Sequence, residues 1–190
     1  MGIVGWIVIA AIVLVAVYAI AVYNRLVRLR ALVREAFSGI TVQLRRRAVL
    51  VPNLVSTVQG YATHERETLD EVIAHRGDAV DAKGVAATAQ ADTAMTAMIG
   101  RLFAVAEAYP DLKADENFRE LQDELSELEG ELQGARRYYN ATARDLNTRV
   151  RSFPDMLFAG ALGFGEEPYY EDPDEAIRSA PKVDFQRTAA

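Results

Sequence analysis

The chain has 190 residues, a net charge of −6 and no cysteine. This length beyond one anchor accommodates a single domain, and the absence of cysteine excludes a cysteine nucleophile. Residues 25–52 hold seven arginines against one glutamate, a local charge of +6 that leaves −12 on the rest of the chain. Such an acidic body is a poor partner for nucleic acid, because binding phosphates requires a basic face.

The first 23 residues contain no charged side chain. As a helix, the 22 residues from Gly2 to Tyr23 would extend about 33 Å, enough to cross a hydrocarbon core of about 30 Å. A cleaved signal peptide is the poorer interpretation, because no lysine or arginine precedes the run and the run is too long. We therefore predict a transmembrane anchor over residues 1–24.

Side chains near the two ends of this run predict its place and orientation in a membrane. Aromatic residues favour the interface, and the positive-inside rule assigns arginine-rich flanks to the cytoplasm. The N-terminus should therefore lie outside, with the body of the chain in the cytoplasm. The predicted interface residues are Trp6, Tyr23, Arg25, Arg28, Arg30 and Arg34.

Beyond the anchor, apolar residues recur at three- and four-residue steps in three stretches. The first predicts a helix over about 24–76 that is kinked at Pro52, followed by a turn at Gly77, Asp78 and Gly84. The second predicts an alanine-rich helix over about 85–108. The third is a heptad repeat within residues 118–146, and a Phe-Pro pair at 153–154 ends it.

The predicted fold class is all-α: one transmembrane helix that continues into an antiparallel, up-down-up three-helix bundle. The bundle domain is predicted over residues 25–160, with a short helical turn near its end, and residues 161–190 form an irregular acidic tail. In this order the first and third helices are parallel. We therefore expect ion pairs between Arg45–Arg47 and the acidic start of the third helix, at Glu124 and Glu127.

The heptad has two interpretations, because bundle helices and coiled coils share this periodicity. It packs within its own bundle in the first interpretation. In the second, part of it meets the same helix of another chain.

The order and spacing of many short motifs resemble the LemA family over nearly the whole chain. The departures are conservative for packing: Phe37 replaces a usual tryptophan, Leu146-Asn147 stands where a second Tyr-Asn is common, and Tyr170 replaces phenylalanine. The matching motifs include Tyr23-Asn24, Val42-Gln43-Leu44, Arg46-Arg47, Val51-Pro52-Asn53-Leu54-Val55, Gly60-Tyr61-Ala62, His64-Glu65, Tyr109-Pro110, Leu121-Gln122, Glu129, Ala135-Arg136, Tyr138-Tyr139-Asn140, Phe153-Pro154, Gly163-Phe164, Tyr169-Tyr170-Glu171 and Pro181-Lys182-Val183-Asp184-Phe185.

This resemblance implies an N-terminally anchored, all-helical bacterial protein of the inner membrane with no established catalytic activity. Members of the family are linked to membrane remodelling around magnetic organelles and to neighbourhoods that contain membrane proteases. Neither role is assigned to particular residues of this sequence.

The residues offer little catalytic or metal-binding chemistry. His64 and His75 are the only histidines, and eleven helical residues separate them by about 16 Å, too far for one metal. The sequence lacks the H-E-x-x-H, G-x-S-x-G and phosphate-loop patterns. We therefore expect no enzyme activity, no metal site and no cofactor.

One segment gathers residue types that suit an interaction site, around the predicted kink. In the structural alternative, Pro52 and Gly60 only shape the bend, while Asn53 and Tyr61 satisfy backbone groups. The candidate residues are Arg46, Arg47, Pro52, Asn53, Gly60, Tyr61, His64 and Glu65.

The anchor and the helical bundle are compatible with two functions. The first is a membrane-tethered scaffold that forms homo-oligomers through its cytoplasmic bundle. The alternative is an adaptor or regulator of another membrane protein, such as a membrane protease. The expected partners are the lipid bilayer, a second copy of the chain or another membrane protein. A ligand-binding sensor is less favoured, because an alanine-rich helix leaves little room for a pocket.

Overall fold

The computed structural model describes residues 2–62 and 64–170. Within these ranges the chain forms helices and no strand, so the all-α fold class is confirmed. Four of these helices are long, and α4 and α6 are short. The bounds in the described ranges are α1 (Ile3–Tyr61), α2 (Arg66–Asp81), α3 (Val85–Ala106), α4 (Pro110–Ala114), α5 (Glu116–Arg151) and α6 (Met156–Ala159).

Helix α1 runs the length of the molecule, and α5 packs antiparallel to it. The residue numbers of α5 rise as those of α1 fall along their shared interface. From one end to the other, the contacting pairs are Tyr61 with Asp115, Arg46 with Glu131, Phe37 with Tyr139 and, just beyond α5, Tyr18 with Phe158.

Helices α2 and α3 form a hairpin against the far half of α1. Arg76 of α2 donates a hydrogen bond to the carbonyl of Ala48 at 2.6 Å, so α2 runs back along α1. Helix α3 reverses direction again, with its Arg101 lying 3.2 Å from Glu71 of α2. The four long helices therefore alternate in direction along the chain.

The helix predicted over 24–76 is wrong in its last part, because α1 ends at Tyr61 and α2 is a separate, reversed helix. Pro52 lies inside α1 without ending it, whereas Ala62 leaves the helical conformation with φ −109° and ψ 63°. This additional reversal makes the last long helix antiparallel to the first instead of parallel. Apolar spacing could not reveal the turn, because α1 and α2 bury their apolar faces in the same core.

The connection to α3 also differs from the expectation. Gly77 and Asp78 lie inside α2, and the chain turns at residues 82–84. Gly84 has φ 80°, a left-handed conformation that glycine adopts without steric cost. Helices α3 and α5 lie where they are predicted, and α6 is the predicted short helical turn.

Two apolar cores follow one another along α1. The distal core lies among α1, α2, α3 and α5 and includes Leu54 and Leu102. The proximal core is nearer the N-terminus, between α1, α5, the start of α3 and the chain after α5, and includes Leu26 and Tyr139. The charge-free start of α1 is the one candidate membrane span among the described residues. Most of it projects beyond both cores, whereas Tyr18 and Val22 near its end pack in the proximal core.

Helix α5 contributes to both cores, and the chain after α6 completes the proximal core. The buried heptad positions of α5 include Leu125, Leu132 and Leu146, so the heptad packs mainly within its own bundle. Residues 160–170 contain no helix, but Phe164 and Tyr170 are buried, so this part of the predicted tail packs on the bundle. The remainder of the predicted tail, residues 171–190, lies outside the described residues.

Candidate functional site

Charged side chains from three helices meet inside the bundle, where the two cores adjoin. Arg47 comes from α1, Asp92 from α3, and Glu129 and Arg136 from α5. Asp92 is only 1% exposed and Arg47 is buried as well. We call these four residues, together with Tyr170, the buried charge cluster.

Each arginine of the buried charge cluster contacts both carboxylates. Arg47 donates a hydrogen bond to Asp92 at 3.2 Å and lies 3.3 Å from Glu129. Arg136 contacts the second oxygen of Asp92 and lies 3.5 Å from Glu129. The hydroxyl of Tyr170 donates to Asp92 at 2.8 Å. Two positive and two negative charges therefore balance, as burial of charged groups requires.

Burial shifts the pKa values of the cluster, and the neighbouring charges modify each shift. Burial lowers the pKa of Arg47, and Glu129 and Asp92 offset only part of that effect. Burial also lowers the pKa of Arg136, but Asp92 and Glu129 raise it by more. Burial and then Asp92 raise the pKa of Tyr170 far above its usual range. The tyrosine therefore remains a donor while the arginines remain charged.

Two asparagines of α5 hold the extended segment that carries Tyr170 into the cluster. The amide of Asn147 pairs with both the N–H and the carbonyl of Glu167, each at 2.8 Å. Asn140, one heptad earlier on the same face, pairs in the same way with Tyr170 at 2.8 and 3.0 Å. Residues 165–170 are therefore fixed through hydrogen bonds to their backbone.

A cleft of about 550 Å³ opens beside the cluster, between α3 and α5. Among the residues described, its walls contain no cysteine, serine or histidine, and the hydroxyls of Thr93 and Thr96 donate to carbonyls of their own helix. Its carboxylates are paired with arginine. The arrangement could hold a small polar molecule by hydrogen bonds, but it offers neither an activated nucleophile nor a free base.

The structure also bears on metal binding. Across residues 2–62 and 64–170, no group of three histidine, cysteine, aspartate or glutamate side chains is placed to hold a metal ion.

The candidate interaction residues of the sequence are not brought together into one site. Arg46 and Tyr61 are fifteen residues apart on α1, which corresponds to about 22 Å. Arg47 points inward to the buried charge cluster. Of the others, Arg46, Asn53, Gly60, Tyr61 and His64 are exposed, and Pro52 and Glu65 are half-buried.

Pro52 and Tyr61 have structural contacts of the kind that the alternative interpretation anticipates. Pro52 has no N–H, so the carbonyl of Ala48 one turn earlier loses its helical donor, and Arg76 supplies the replacement. Tyr61 donates to the side chain of Asp115 at 2.9 Å, and this hydrogen bond raises the pKa of Tyr61. Asp115 in turn caps α5 by accepting from the N–H of Phe118 at 3.0 Å.

Ion pairs between the arginine triplet and α5 are present, but with partners other than those predicted. Arg46 pairs with Glu131 at 2.7 Å, and Arg47 with Glu129. The sequence predicts Glu124 and Glu127 because it predicts that the two helices are parallel. Glu129 and Glu131 lie farther along the same acidic half of α5. In the antiparallel arrangement, the middle of α1 meets the middle of α5.

The family assignment rests on the sequence as a whole. The family model described as LemA matches residues 36–185. The chain belongs to the LemA family. A protein named LemA from Metamycoplasma hominis is 32% identical over 136 residues, covering 68% of this chain and 60% of that protein.

Two more distant relatives are magnetosome proteins. A magnetosome protein named MamQ 2, from Paramagnetospirillum magneticum, is 24% identical over 176 residues, covering 79% of this chain and 65% of that protein. The protein named MamQ from Magnetospirillum gryphiswaldense is 23% identical over the same extent. The chain thus spans 60–65% of the length of the curated relatives it matches.

The predicted interface residues of this LemA-family chain lie at the two ends of the candidate membrane span. All are exposed except Arg30, which is half-buried. Arg30 donates to the carbonyl of Gly163 at 2.7 Å, and its guanidinium lies 4.1 Å from the centre of the Phe164 ring. Arg30 thus binds the chain after α6, whereas Arg25, Arg28 and Arg34 face outward.

Sequence reasoning missed most of the buried charge cluster, although one signal was present. Asp92 and Arg101 are the only charged residues of α3. A single carboxylate in an otherwise apolar helix indicates a buried ion pair, because an unpaired charge there would be costly. Nothing local indicates its partners, since Arg136 and Tyr170 are 44 and 78 residues away.

Proposed function

We propose that this protein is a non-enzymatic, single-pass protein of the bacterial inner membrane whose cytoplasmic bundle self-assembles as a scaffold. The membrane span is the start of α1, and the same helix continues without interruption to the far end of the bundle. Membership of the LemA family supports a role without chemistry of its own. The balanced charges of the buried cluster support the same conclusion.

One observation carries the self-assembly: exposed apolar side chains on the outer face of α1. Val42 is 51% exposed and Val49 is 65% exposed. They are seven residues apart, so they lie on one face of the helix. Leu50 extends this face, and Arg45, Arg46 and Glu124 border it. We call Val42, Val49 and Leu50 the α1 stripe.

A second copy of the chain is the partner that fits the α1 stripe. Two chains anchored in the same membrane stand parallel and at the same height, so the stripe of one faces the same stripe of the other around a two-fold axis. The anchors also raise the effective concentration of the bundles. Bordering charges of both signs allow the glutamate of one copy to approach the arginines of the other.

The orientation follows from the arginines next to the span. Arg25, Arg28 and Arg34 are exposed on one side of it, and the positive-inside rule assigns that side to the cytoplasm. A reporter protein fused to the C-terminus should therefore be active only if it is one that works in the cytoplasm. Activity confined to a reporter that works outside the cytoplasm would overturn this orientation.

The oligomer is tested by the mass of the full-length protein in nanodiscs and in mild detergent. The unmodified chain should give a defined oligomer, and Val42→Lys with Val49→Lys should give a monomer because like charges then face each other. The matched control is Ile73→Lys with Val80→Lys, an exposed pair of the same spacing on α2. This control should leave the oligomer intact.

A monomeric unmodified chain would overturn the scaffold and favour the adaptor to another membrane protein. Equal loss of the oligomer in both double variants would exclude the α1 stripe as the contact surface.

A further inference from the structure

The loop that follows α5 has an almost uncharged surface. Residues 153–163 contain one charged residue, Asp155, and its side chain is only 1% exposed. Its carboxylate is paired with Arg149 and accepts a hydrogen bond from the hydroxyl of Tyr18. The loop therefore presents no charge to its surroundings, unlike the acidic surface of the first half of α5.

The same loop exposes large apolar side chains next to one another. Phe153 is 77% exposed, Met156 53% and Leu157 62%. Phe153 lies just after the end of α5, and Met156 and Leu157 begin α6. Water is an unfavourable environment for a contiguous group of this kind, and such a group marks a contact surface.

Contacts with α1 fix the height of the loop. Besides the hydrogen bond from Tyr18 to Asp155, the rings of Tyr18 and Phe158 lie 5.8 Å apart. Tyr18 belongs to the charge-free run and lies seven residues before Arg25, which corresponds to about 10 Å along the helix. The loop is therefore level with the end of the membrane span, at the end of the bundle nearest the N-terminus.

We infer that residues 153–158 insert into the boundary between headgroups and acyl chains of the bilayer that α1 crosses. Apolar faces of interfacial segments lie about 5–10 Å into this boundary, which matches the height of Tyr18. Continuity with the span selects lipid as the partner, because the exposed apolar surface of the loop adjoins that of α1. This inference rests on the membrane anchor of the proposed function.

The second contact gives the scaffold a fixed orientation. A single helix can rotate freely about the membrane normal and tilt in any direction. A loop that enters the interface on one side of α1 restricts the tilt, because tilting away from that side would withdraw Phe153 and Leu157 from the lipid. The bundle and its α1 stripe then have a defined orientation relative to the membrane.

The test places a single tryptophan in the full-length chain, with Trp6→Phe removing the natural one. The variants Leu157→Trp and Phe153→Trp report on the loop, Val13→Trp on the span and Ile73→Trp on a distant exposed surface of α2 that lies outside the α1 stripe. Each is reconstituted in vesicles of phosphatidylcholine and phosphatidylglycerol, with or without bromine near the headgroup end of the acyl chains. For both loop variants we expect a blue-shifted emission maximum and a roughly two-fold loss of tryptophan fluorescence in brominated lipid, because the side chains lie near the headgroup end of the acyl chains.

The controls separate the inference from the proposal on which it rests. Ile73→Trp should not be quenched, and Val13→Trp should be quenched by lipids brominated deeper in the chain. If Val13→Trp is quenched while the loop variants behave like Ile73→Trp, the anchor stands and the loop insertion is wrong. Blue-shifted but unquenched loop variants would mean that protein covers the loop, which also overturns it. An unquenched Val13→Trp would overturn the anchor itself.

Discussion

The distal and proximal cores of the bundle are closed in different ways. Four helices surround the distal core, which apolar side chains such as Leu54 and Leu102 fill. Only α1 and α5 extend along the whole proximal core, because the connection between α2 and α3 turns beside Phe37 and Leu44. Helix α3 reaches this core only with its first residues. There α6 and the extended segment to Tyr170 form the third side. The buried charge cluster lies between the two cores.

This difference shows what a bundle needs where it loses helices. Two helices can bury only the stripes that face each other, so a third element must cover the remaining apolar surface. An extended segment can do so only if its backbone groups find partners, and Asn140 and Asn147 supply them. The proximal core therefore depends on polar contacts to a greater degree than the distal core.

The largest expected effect tests whether the charge cluster joins the two cores. Asp92→Ala removes the carboxylate shared by Arg47, Arg136 and Tyr170. It leaves the buried guanidinium of Arg47 and the half-buried one of Arg136 with Glu129 alone. We expect the free energy of unfolding to fall by about 3–5 kcal/mol. Chemical denaturation of the full-length protein in detergent, followed by circular dichroism, measures the loss.

A paired variant controls for a general failure to fold. Arg47→Met with Asp92→Leu removes one charge of each sign and should recover most of the lost stability, because balanced charges can be replaced by apolar groups. A loss for Asp92→Ala of less than about 1 kcal/mol, the range of an exposed ion pair, would contradict burial of the cluster.

The next effect is specific to the proximal core and appears at high pH. Burial raises the pKa of Tyr139 from 10.0 to about 12, and its hydroxyl donates to the carbonyl of Pro168 at 2.8 Å. Because the folded pKa exceeds the unfolded one, the stabilisation is complete below pH 10 and is lost as the pH rises towards 12. The expected loss is about 2–3 kcal/mol.

Urea denaturation at several pH values across this interval measures the loss. Tyr139→Phe should make the decline shallower, whereas Tyr138→Phe, its exposed neighbour on α5, should leave the decline unchanged. A decline of equal steepness in both variants would assign the pH dependence to other groups.

The sequence predicted those parts of the fold that carry a repeating apolar pattern. The charge-free run, the alanine-rich α3 and the heptad of α5 each lie where periodicity indicates. The same criterion misjudged residues 62–76, because a tight turn between two helices that share a core leaves the apolar spacing almost undisturbed. Because this turn was not predicted, the predicted direction of α5 relative to α1 is wrong. The glutamate that pairs with Arg46 therefore differs from the predicted ones.

The candidate site was less predictable, because its contacts join distant parts of the chain. The residues around Arg47 in the sequence mark it as a candidate. Its partner Asp92, and Tyr170 that binds Asp92, come from other elements. The segment that carries Tyr170 is held through side-chain amides and has no apolar period of its own. Its irregularity was predicted, whereas its packing on the bundle was not.

The smallest effect we predict concerns a polar contact at the edge of the distal core. Pro52 deprives the carbonyl of Ala48 of its helical donor, and Arg76 of α2 replaces that donor at 2.6 Å. Arg76→Met keeps the apolar stem and removes the donor, so the free energy of unfolding should fall by about 1–2 kcal/mol. Denaturation of the full-length chain in detergent again provides the measurement.

The proline itself supplies the control for this contact. In a Pro52→Ala background, the N–H of residue 52 can bond the carbonyl of Ala48 as in any helix. Arg76→Met should then cost almost nothing, so the two substitutions are expected to be strongly non-additive. If Arg76→Met destabilised the protein equally in both backgrounds, Arg76 would contribute by packing and not by serving the carbonyl that Pro52 leaves unpaired. The contrast between the cores would then become sharper, because the distal core would hold α2 on α1 without this hydrogen bond.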